Sequence, residues 1–392
     1  MADAGVRTGV AVAVDDGRFV DIGAIGDVER GRASFEYIDC AGRVLTPGLV
    51  DSHTHAVFGR PRYDEQELRA AGAGYMEIAQ KGGGIHSSVR DLRARSEDDL
   101  LLLARARLRR LARYGATTIE IKSGYGLSVG EELKSLRVIA RLQAETSLRL
   151  VPTWLGAHEI PREYRDGPDG RREYIQQLLL EQLPAVVREH LATFADVFCE
   201  PGVFTLEETR TILEASRAAG LKLKLHADEL EPSGGAELAA ELGATSADHL
   251  AAISGAGVRA LADSGTVATL LPGTMFFLGR TRQAPARALI DAGAVVALAT
   301  DFNPGTSPTP NLPLVMTMGV SQLHMSVAEV MLATTVNGAA ALGLAESTGQ
   351  IAPGFSADVA LWDCEDVREI PYWYGDARCV ASWCCGEPVH AV

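Results

Sequence analysis

Two histidines with one residue between them stand near the start of the chain. His53 and His55 end the segment GLVDSHTH, 48–55. Side chains two residues apart on a strand project to the same face, and two imidazoles on one face can bind one divalent metal ion. The motif is short, and it also fits two hydrogen-bonded core histidines. Asp51 shares the face, either beside the metal or as a hydrogen-bond partner.

Three later apolar runs also end in a side chain that can bind a metal. His226 ends LKLKLH, His249 follows TSAD, and Asp301 follows AVVALAT. A polar group at the end of a buried strand needs a partner, and one metal shared by several strand ends provides it. Imidazole and carboxylate ligands suit Zn²⁺ or Fe²⁺ and leave a position for water.

Eight short apolar runs, separated by helical patterns, would position these side chains. The runs are 48–55, 116–124, 148–158, 196–202, 221–229, 245–250, 266–273 and 294–302. The pattern in 96–115 predicts a helix, with a capping box of Ser96 and Asp99 and a stop at Gly115. Eight such units predict an α/β fold, a (β/α)8 barrel whose catalytic mouth lies at the carboxyl ends of the strands.

A doubly wound sheet is the alternative fold, and it would place a glycine-rich nucleotide turn after an early strand. The glycines of KGGGIHSS, 81–88, follow no strand and lack the G-x-G-x-x-G spacing. We therefore expect a flexible loop near the substrate there, with His86 on the surface or in the loop.

Both chain ends have strand character. A hairpin signal surrounds Asp16 and Gly17, and 349–364 returns to apolar runs with glycine and proline turns. We expect the two ends to form a small flanking β-sandwich. The predicted domains are 1–47 and 343–392 for the sandwich and 48–342 for the barrel.

The overall charge limits the partners. The 392 residues carry a net charge of −14, which argues against nucleic acid and anionic membranes. No apolar run is long enough to cross a bilayer and no signal peptide is evident, so we expect a cytoplasmic protein. The six cysteines form no C-x-x-C pair, which disfavours zinc ribbons and disulfide frameworks.

Longer motifs resemble a known family. The chain is similar to the amidohydrolase superfamily in TPGLVDSHTHAVFG, HADE, SADHL and LATDFNPG. It resembles the imidazolonepropionase family in EIKSGYGL, GGGI, LGAHEIP, FCEPGVF, LLPGT and TVNGAAALG. The resemblance implies a (β/α)8 barrel with a flanking β-sandwich. It also implies hydrolysis of 4-imidazolone-5-propanoate to N-formimino-L-glutamate in histidine degradation, by a homodimer.

The resemblance implies a ligand set of four side chains for one divalent ion per subunit, Zn²⁺ or Fe²⁺. These are His53, His55, His226 and Asp301. Many amidohydrolases bridge two metals with a carboxylated lysine on strand four, and LVPTWLGAH contains no lysine. We expect Lys122, at the end of another run, to be a structural ion-pair partner.

The catalytic residues are inferred from the chemistry of this ligand set, since a metal-activated water needs a nearby base and His249 comes from a different strand and is not among the four ligands. His249 is the first choice for the base that takes a proton from the attacking water, and Asp301 could share that work. Glu229 would protonate the departing ring nitrogen and contact the substrate. The alternative for Glu229 is a hydrogen bond that orients His226.

The substrate of that family carries a propionate group, so a local cation is needed. Arg62 matches the carboxylate-binding arginine, whereas nearby Arg60 is expected in solvent. The other expected substrate contacts are Tyr75, Tyr125, His158, Asn303, Gly305 and Thr306. The alternative functions are those of another mononuclear cyclic amidohydrolase or deaminase with a different substrate, and of a catalytically inactive barrel that serves as a scaffold.

Overall fold

The structure, a computed structural model, describes residues 4–30, 32, 34–72, 83–165 and 167–391. The strands in this part are β1 Val10–Asp15, β2 Arg18–Ala24, β3 Val44–Pro47, β4 Leu49–Asp51, β5 Ala116–Lys122, β6 Arg149–Ala157, β7 Phe194–Cys199, β8 Lys222–Ala227, β9 Ser246–His249, β10 Val267–Leu270, β11 Val296–Leu298, β12 Val359–Trp362, β13 Cys379–Cys384 and β14 Glu387–Ala391. Strands β4 to β11 form one eight-stranded parallel sheet in chain order. Each overlaps one of the eight apolar runs, which confirms the predicted barrel.

Helices connect successive barrel strands. The α-helices in the described part are α1 Ile25–Val28, α2 Asp64–Ala70, α3 Ile85–Arg93, α4 Glu97–Arg113, α5 Val129–Glu145, α6 Gly170–Gln177, α7 Leu183–Arg188, α8 Leu206–Ala218, α9 Gly235–Glu241, α10 Gly255–Ser264, α11 Pro272–Phe277, α12 Ala286–Asp291, α13 Leu312–Ser321, α14 Val327–Ala333, α15 Val336–Ala340 and α16 Glu369–Tyr372. A 3₁₀ helix spans Arg162–Tyr164, and a π-helical segment, Leu178–Gln182, joins α6 to α7. Helix α4 begins at the predicted capping box of Ser96 and Asp99. It ends before Gly115, whose φ of 85° suits glycine.

The first and last barrel strands meet just beyond their ends. Thr54 and Phe302 form an isolated parallel bridge. The amide of Asp301 donates to the carbonyl of His53 at 3.0 Å. Asp51 accepts from the amide and hydroxyl of Thr300 at 3.0 and 2.6 Å, and burial raises its pKa to about 7. Of the two roles expected for Asp51, the structure shows that of a hydrogen-bond partner, and its contacts with Thr300 help to close the barrel.

The two chain ends pair beside the barrel, as expected. Strands β1 and β2 form a hairpin, and β3 joins a four-stranded antiparallel sheet in the order β14-β13-β12-β3. The amide of Phe19 donates to the carbonyl of Phe355, which links the hairpin to the C-terminal segment. The limits predicted for the three domains stay a prediction.

One expectation about the glycine-rich segment is wrong. His86 lies on helix α3 and is buried, rather than in a surface loop. Gly84 immediately precedes that helix, while 81 and 82 lie outside the described residues. In the part of the chain that the structure describes, no helix combines the length and apolar character needed to span a membrane.

Candidate active site

Four strand ends bring five metal-binding side chains together in the barrel mouth. They are His53, His55, His226, His249 and Asp301. Ring centroids of His53 lie 5.3, 4.6 and 5.4 Å from those of the other three histidines. The Nε2 atoms of His53 and His55 each lie 3.5 Å from Asp301 Oδ1. His249 and Asp301 have φ values of 80° and 51°, which are uncommon outside glycine and tend to cluster at functional sites.

These side chains fit a divalent metal ion. The candidate ligand atoms of His53, His55 and His226 lie within 4.8 Å of one another, and so do those of His53, His249 and Asp301. Buried His53 Nε2 and His55 Nδ1 have no hydrogen-bond partner among the described residues. Buried polar atoms without partners are costly. A metal bound by this group would remove that cost at His53 Nε2, and the geometry allows His249 as well as the four predicted ligands.

Two carboxylates that the sequence motifs did not point to orient two of the histidines. Asp248 Oδ2 lies 2.6 Å from His53 Nδ1, and Asp196 lies 3.0 Å from His226 Nδ1. Each contact places the ring proton on Nδ1, so that Nε2 is free to bind a metal. The alternative role considered for Glu229, orientation of His226, is therefore taken by Asp196.

Two buried lysines in the barrel interior lie close to these carboxylates and neutralise part of their charge. Lys122 Nζ lies 2.7 Å from Asp196 and 2.9 Å from Glu120, which confirms the structural ion-pair role expected for this lysine. Lys224 Nζ lies 2.9 Å from Glu120 and 3.7 Å from Asp248. All five side chains are fully buried. Although burial acts in the opposite direction, Asp196 and Glu120 raise the pKa of Lys122, so the ammonium stays charged.

The site shifts the pKa values of a histidine and a carboxyl group in opposite directions. Burial lowers the pKa of His53, His55 and His249 well below the ordinary histidine value. Burial, followed by the charge of Asp301, raises the pKa of Glu229 well above the ordinary carboxyl value. His249 Nε2 lies 3.6 Å from Glu229 Oε2. The lowered pKa of His249 favours the neutral ring that can accept a proton, and the raised pKa of Glu229 favours the carboxyl form that can donate one.

Arg62 is a buried cation at the edge of the pocket. Its Nε atom lies 3.3 Å from Glu65, while Nε and Nη1 make no hydrogen bond within the described residues. A Cβ added at Gly305 would lie 1.5 Å from Arg62 Nη2. Glycine at 305 therefore leaves room for the guanidinium. Arg60, in contrast, is exposed and pairs with Asp64, as expected for a solvated arginine.

Of the remaining side chains predicted to contact the substrate, four line the pocket and one lies outside the described residues. Tyr125 and His158 line the pocket and lie against His55, with ring centroids 5.8 and 5.2 Å from its ring. Asn303 and Thr306 also line the pocket, but the Asn303 amide is engaged within its own loop: it donates to Thr306 Oγ1 and accepts from two loop amides. Tyr75 lies outside the described residues.

Comparisons with known proteins agree with this architecture. A profile of the amidohydrolase family matches residues 44–390. The imidazolonepropionase of Bacillus velezensis is 48% identical over 375 residues, which cover 96% of this chain and 88% of that protein. The imidazolonepropionase of Geobacillus kaustophilus is 46% identical over 379 residues, with coverage of 96% and 88%.

Solved structures with lower identity share the fold. The 5-methylcytosine deaminase of Klebsiella pneumoniae has a TM-score of 0.72 at 19% identity, with 97% of this chain and 94% of that chain covered. The guanine deaminase of E. coli has a TM-score of 0.73 at 15% identity, with coverage of 97% and 93%. The family profile and the curated relatives go further than the fold: the chain belongs to the amidohydrolase family and, within it, to the imidazolonepropionases.

Proposed function

We propose that the chain hydrolyses a ring C–N bond of 4-imidazolone-5-propanoate to give N-formimino-L-glutamate, in histidine degradation. Curated relatives named imidazolonepropionase are 44–48% identical over 93–96% of this chain, which supports the reaction. The observation that carries the substrate class is the buried guanidinium of Arg62 at the edge of a pocket that also contains the histidine cluster.

The metal would be held by His53, His55, His226 and Asp301. When bound, a divalent ion lowers the pKa of its water from about 15.7 toward about 7. His249 is unprotonated and would accept a proton from the attacking water at a ring nitrogen. Asp301, whose pKa burial raises to about 6, could share this proton.

Glu229 would act as the general acid. Burial raises its pKa, which favours the protonated form that can donate a proton. Attack of water at the ring carbonyl and cleavage of the C–N bond leave a nitrogen that needs this proton. His249 and Glu229 lie 3.6 Å apart, so both can contact the same small ring bound beside them.

The propionate group would be bound by Arg62. A guanidinium can make two hydrogen bonds to a carboxylate, and such charge-assisted bonds are stronger than neutral ones. Tyr125 and His158 would contact the ring. Asn303, Gly305 and Thr306 would shape the pocket edge beside Arg62, and Tyr75 remains a predicted substrate contact.

Three finer points belong to this proposal: one Zn²⁺ or Fe²⁺ per subunit, a homodimer, and a cytoplasmic location. Histidine and carboxylate ligands accept both metals. Metal analysis of protein purified without added metal would identify the ion, and sedimentation equilibrium would test the dimer.

The decisive experiment is turnover of freshly generated 4-imidazolone-5-propanoate, followed by the loss of its ultraviolet absorbance. Metal-loaded protein should consume the substrate and form N-formimino-L-glutamate. Unchanged absorbance, together with hydrolysis of another cyclic amide or deamination of a nucleobase, would overturn the substrate assignment. Absence of stoichiometric metal and of metal-restored activity would favour a scaffold.

The carboxylate anchor has its own test. Arg62→Ala should raise KM by about 10- to 100-fold, because a hydrogen bond between charged groups contributes about 1.5–3 kcal/mol. Arg60→Ala is the matched control on the same loop, since this side chain is exposed. Metal content should be unchanged in both variants. An Arg62→Ala variant with the wild-type KM would remove the arginine from the proposal.

A further inference from the structure

Helix α4 carries a buried cation that no part of the proposed mechanism uses. Arg107 is 8% exposed, and its hydrogen-bond acceptors among the described residues are three carbonyl oxygens. Those of Ala56 and Gly59 lie at 3.1 and 2.6 Å, and that of Phe58 is the third. The guanidinium carbon lies 3.3 Å from the centroid of the Phe58 ring.

The environment of Arg107 contains no carboxylate at ion-pair distance within the described residues. A buried charge without an opposite charge is costly, and an apolar side chain would pack at this helix position at lower cost. Burial lowers the pKa of the Arg107 guanidinium to about 9, so it stays charged at neutral pH. The three carbonyls, which would otherwise lack partners in the interior, account for a cation at this position.

All three carbonyls belong to one segment, residues 56–59. This segment connects His55, a candidate metal ligand, to Arg62, the candidate carboxylate anchor. Its far end is held by other contacts: the amide of Arg60 donates to Asp91 at 2.7 Å, and the amide of Arg62 donates to the Pro304 carbonyl at 2.8 Å.

The segment has little freedom to adopt another path without loss of these contacts. A Cβ added at Gly59 would lie 1.6 Å from Asp91 Oδ2, so the backbone passes directly against that side chain. His55 is held separately, since its amide donates to the Phe302 carbonyl at 2.9 Å. Loss of Arg107 would therefore remove three contacts to the backbone between the two functional residues and leave the backbone contacts of His55 and Arg62 themselves intact.

We propose that Arg107 is a positioning residue for substrate specificity, which holds segment 56–59 so that the guanidinium of Arg62 faces the substrate carboxylate. The inference rests on the proposed function, because it assigns Arg107 to the binding of the same propionate group. Arg107 does not line the pocket and acts through the loop backbone.

The test compares Arg107→Met with Arg109→Met, a matched substitution at an exposed position of the same helix. For folded, metal-loaded Arg107→Met we expect KM for 4-imidazolone-5-propanoate to rise about tenfold, with kcat within about threefold of wild type. Metal content should not change. Arg107→Lys, which keeps the charge but has fewer donors, should recover part of the wild-type KM. Arg109→Met should match wild type.

A double-mutant cycle with Arg62→Ala separates positioning from a general loss of stability. If Arg107 acts through Arg62, then Arg107→Met should change KM by less than about twofold in the Arg62→Ala background. Multiplicative effects on KM, or an unchanged KM in folded Arg107→Met, would overturn the inference. If Arg107→Met does not fold, the same cycle is run with Arg107→Lys. Failure of the wild-type protein to turn over the substrate would instead refute the proposed function.

Discussion

Asp248→Asn tests whether the carboxylate beneath His53 prepares this histidine for metal binding. Asp248 Oδ2 lies 2.6 Å from His53 Nδ1 and 3.6 and 3.7 Å from the ammonium groups of Lys122 and Lys224. The substitution keeps the size of the side chain and removes its charge. An amide can still accept the His53 proton, but it no longer makes a charge-assisted bond and it adds an NH₂ group near two cations.

The contact between Asp248 and His53 sets the expected loss of metal affinity. Loss of such an outer contact to a ligand histidine weakens metal binding by about 10- to 100-fold, or about 1.4–2.7 kcal/mol. The fold should be affected less. Lys122 retains Asp196 and Glu120 at 2.7 and 2.9 Å, and Lys224 retains Glu120 at 2.9 Å. The free energy of unfolding should therefore fall by less than the roughly 3–5 kcal/mol that follows loss of one member of an isolated buried pair.

Competition with a chromophoric chelator at pH 7.5 would measure the Kd for Zn²⁺, and urea unfolding of the metal-free protein would measure stability. Ser246→Ala is the matched control. Its hydroxyl donates to the other oxygen of Asp248 at 2.6 Å, so the variant loses a hydrogen bond and keeps the carboxylate. Its Kd should stay within about fivefold of wild type. A wild-type Kd for Asp248→Asn would refute the proposed role of this carboxylate in orienting His53.

Three further predictions concern the pocket. His249→Ala should retain the metal and lose about 10²- to 10⁴-fold in kcat, and loss of metal would instead make His249 a ligand. Gly305→Ala should raise KM as Arg62→Ala does, with little change in Tm, because the new Cβ displaces the guanidinium; an unchanged KM would contradict this close contact. Burial lowers the pKa of His158 to about 3, so its contribution to stability is lost as pH falls below about 6.5. Between pH 7.5 and 5, the free energy of unfolding of the metal-free protein should fall by about 2 kcal/mol more in wild type than in His158→Asn, as measured in urea; equal slopes would refute the shift.

The sequence predicted the barrel because each barrel strand is a separate apolar run. The short strands β9 and β11 were recognisable from His249 and Asp301, polar residues that end or follow an apolar run and therefore had to face a shared site. The helix at 97–113 was predictable for a local reason, since Ser96 and Asp99 form its capping box. Local patterns of this kind need no knowledge of tertiary packing.

The charged interior of the barrel was less accessible to sequence reasoning. Lys224 precedes His226 by two residues and therefore shares its face, a signal that could have identified it. Asp196 and Asp248 gave no such signal, because their partners lie 74 and 195 residues away in sequence. Which lysine pairs with which carboxylate depends on the strand register of the closed barrel. The burial of His86 was missed because no periodic pattern marked the start of its short helix.

The buried charges also bear on why this site favours a cation. The buried charges at or below the histidine cluster include two ammonium groups and four carboxylates: Lys122, Lys224, Glu120, Asp196, Asp248 and Asp301. If all six are ionised, two negative charges remain unbalanced. Burial raises the pKa of Asp248, and that of Asp301 to about 6, whereas His226 and Lys122 hold the pKa of Asp196 well below its ordinary value although burial acts in the opposite direction. A divalent cation in the mouth would supply the two missing charges. The affinity for metal therefore depends on the interior network as well as on the ligands, because apolar side chains in place of the network would preserve the ligand set and remove the field that favours a dication.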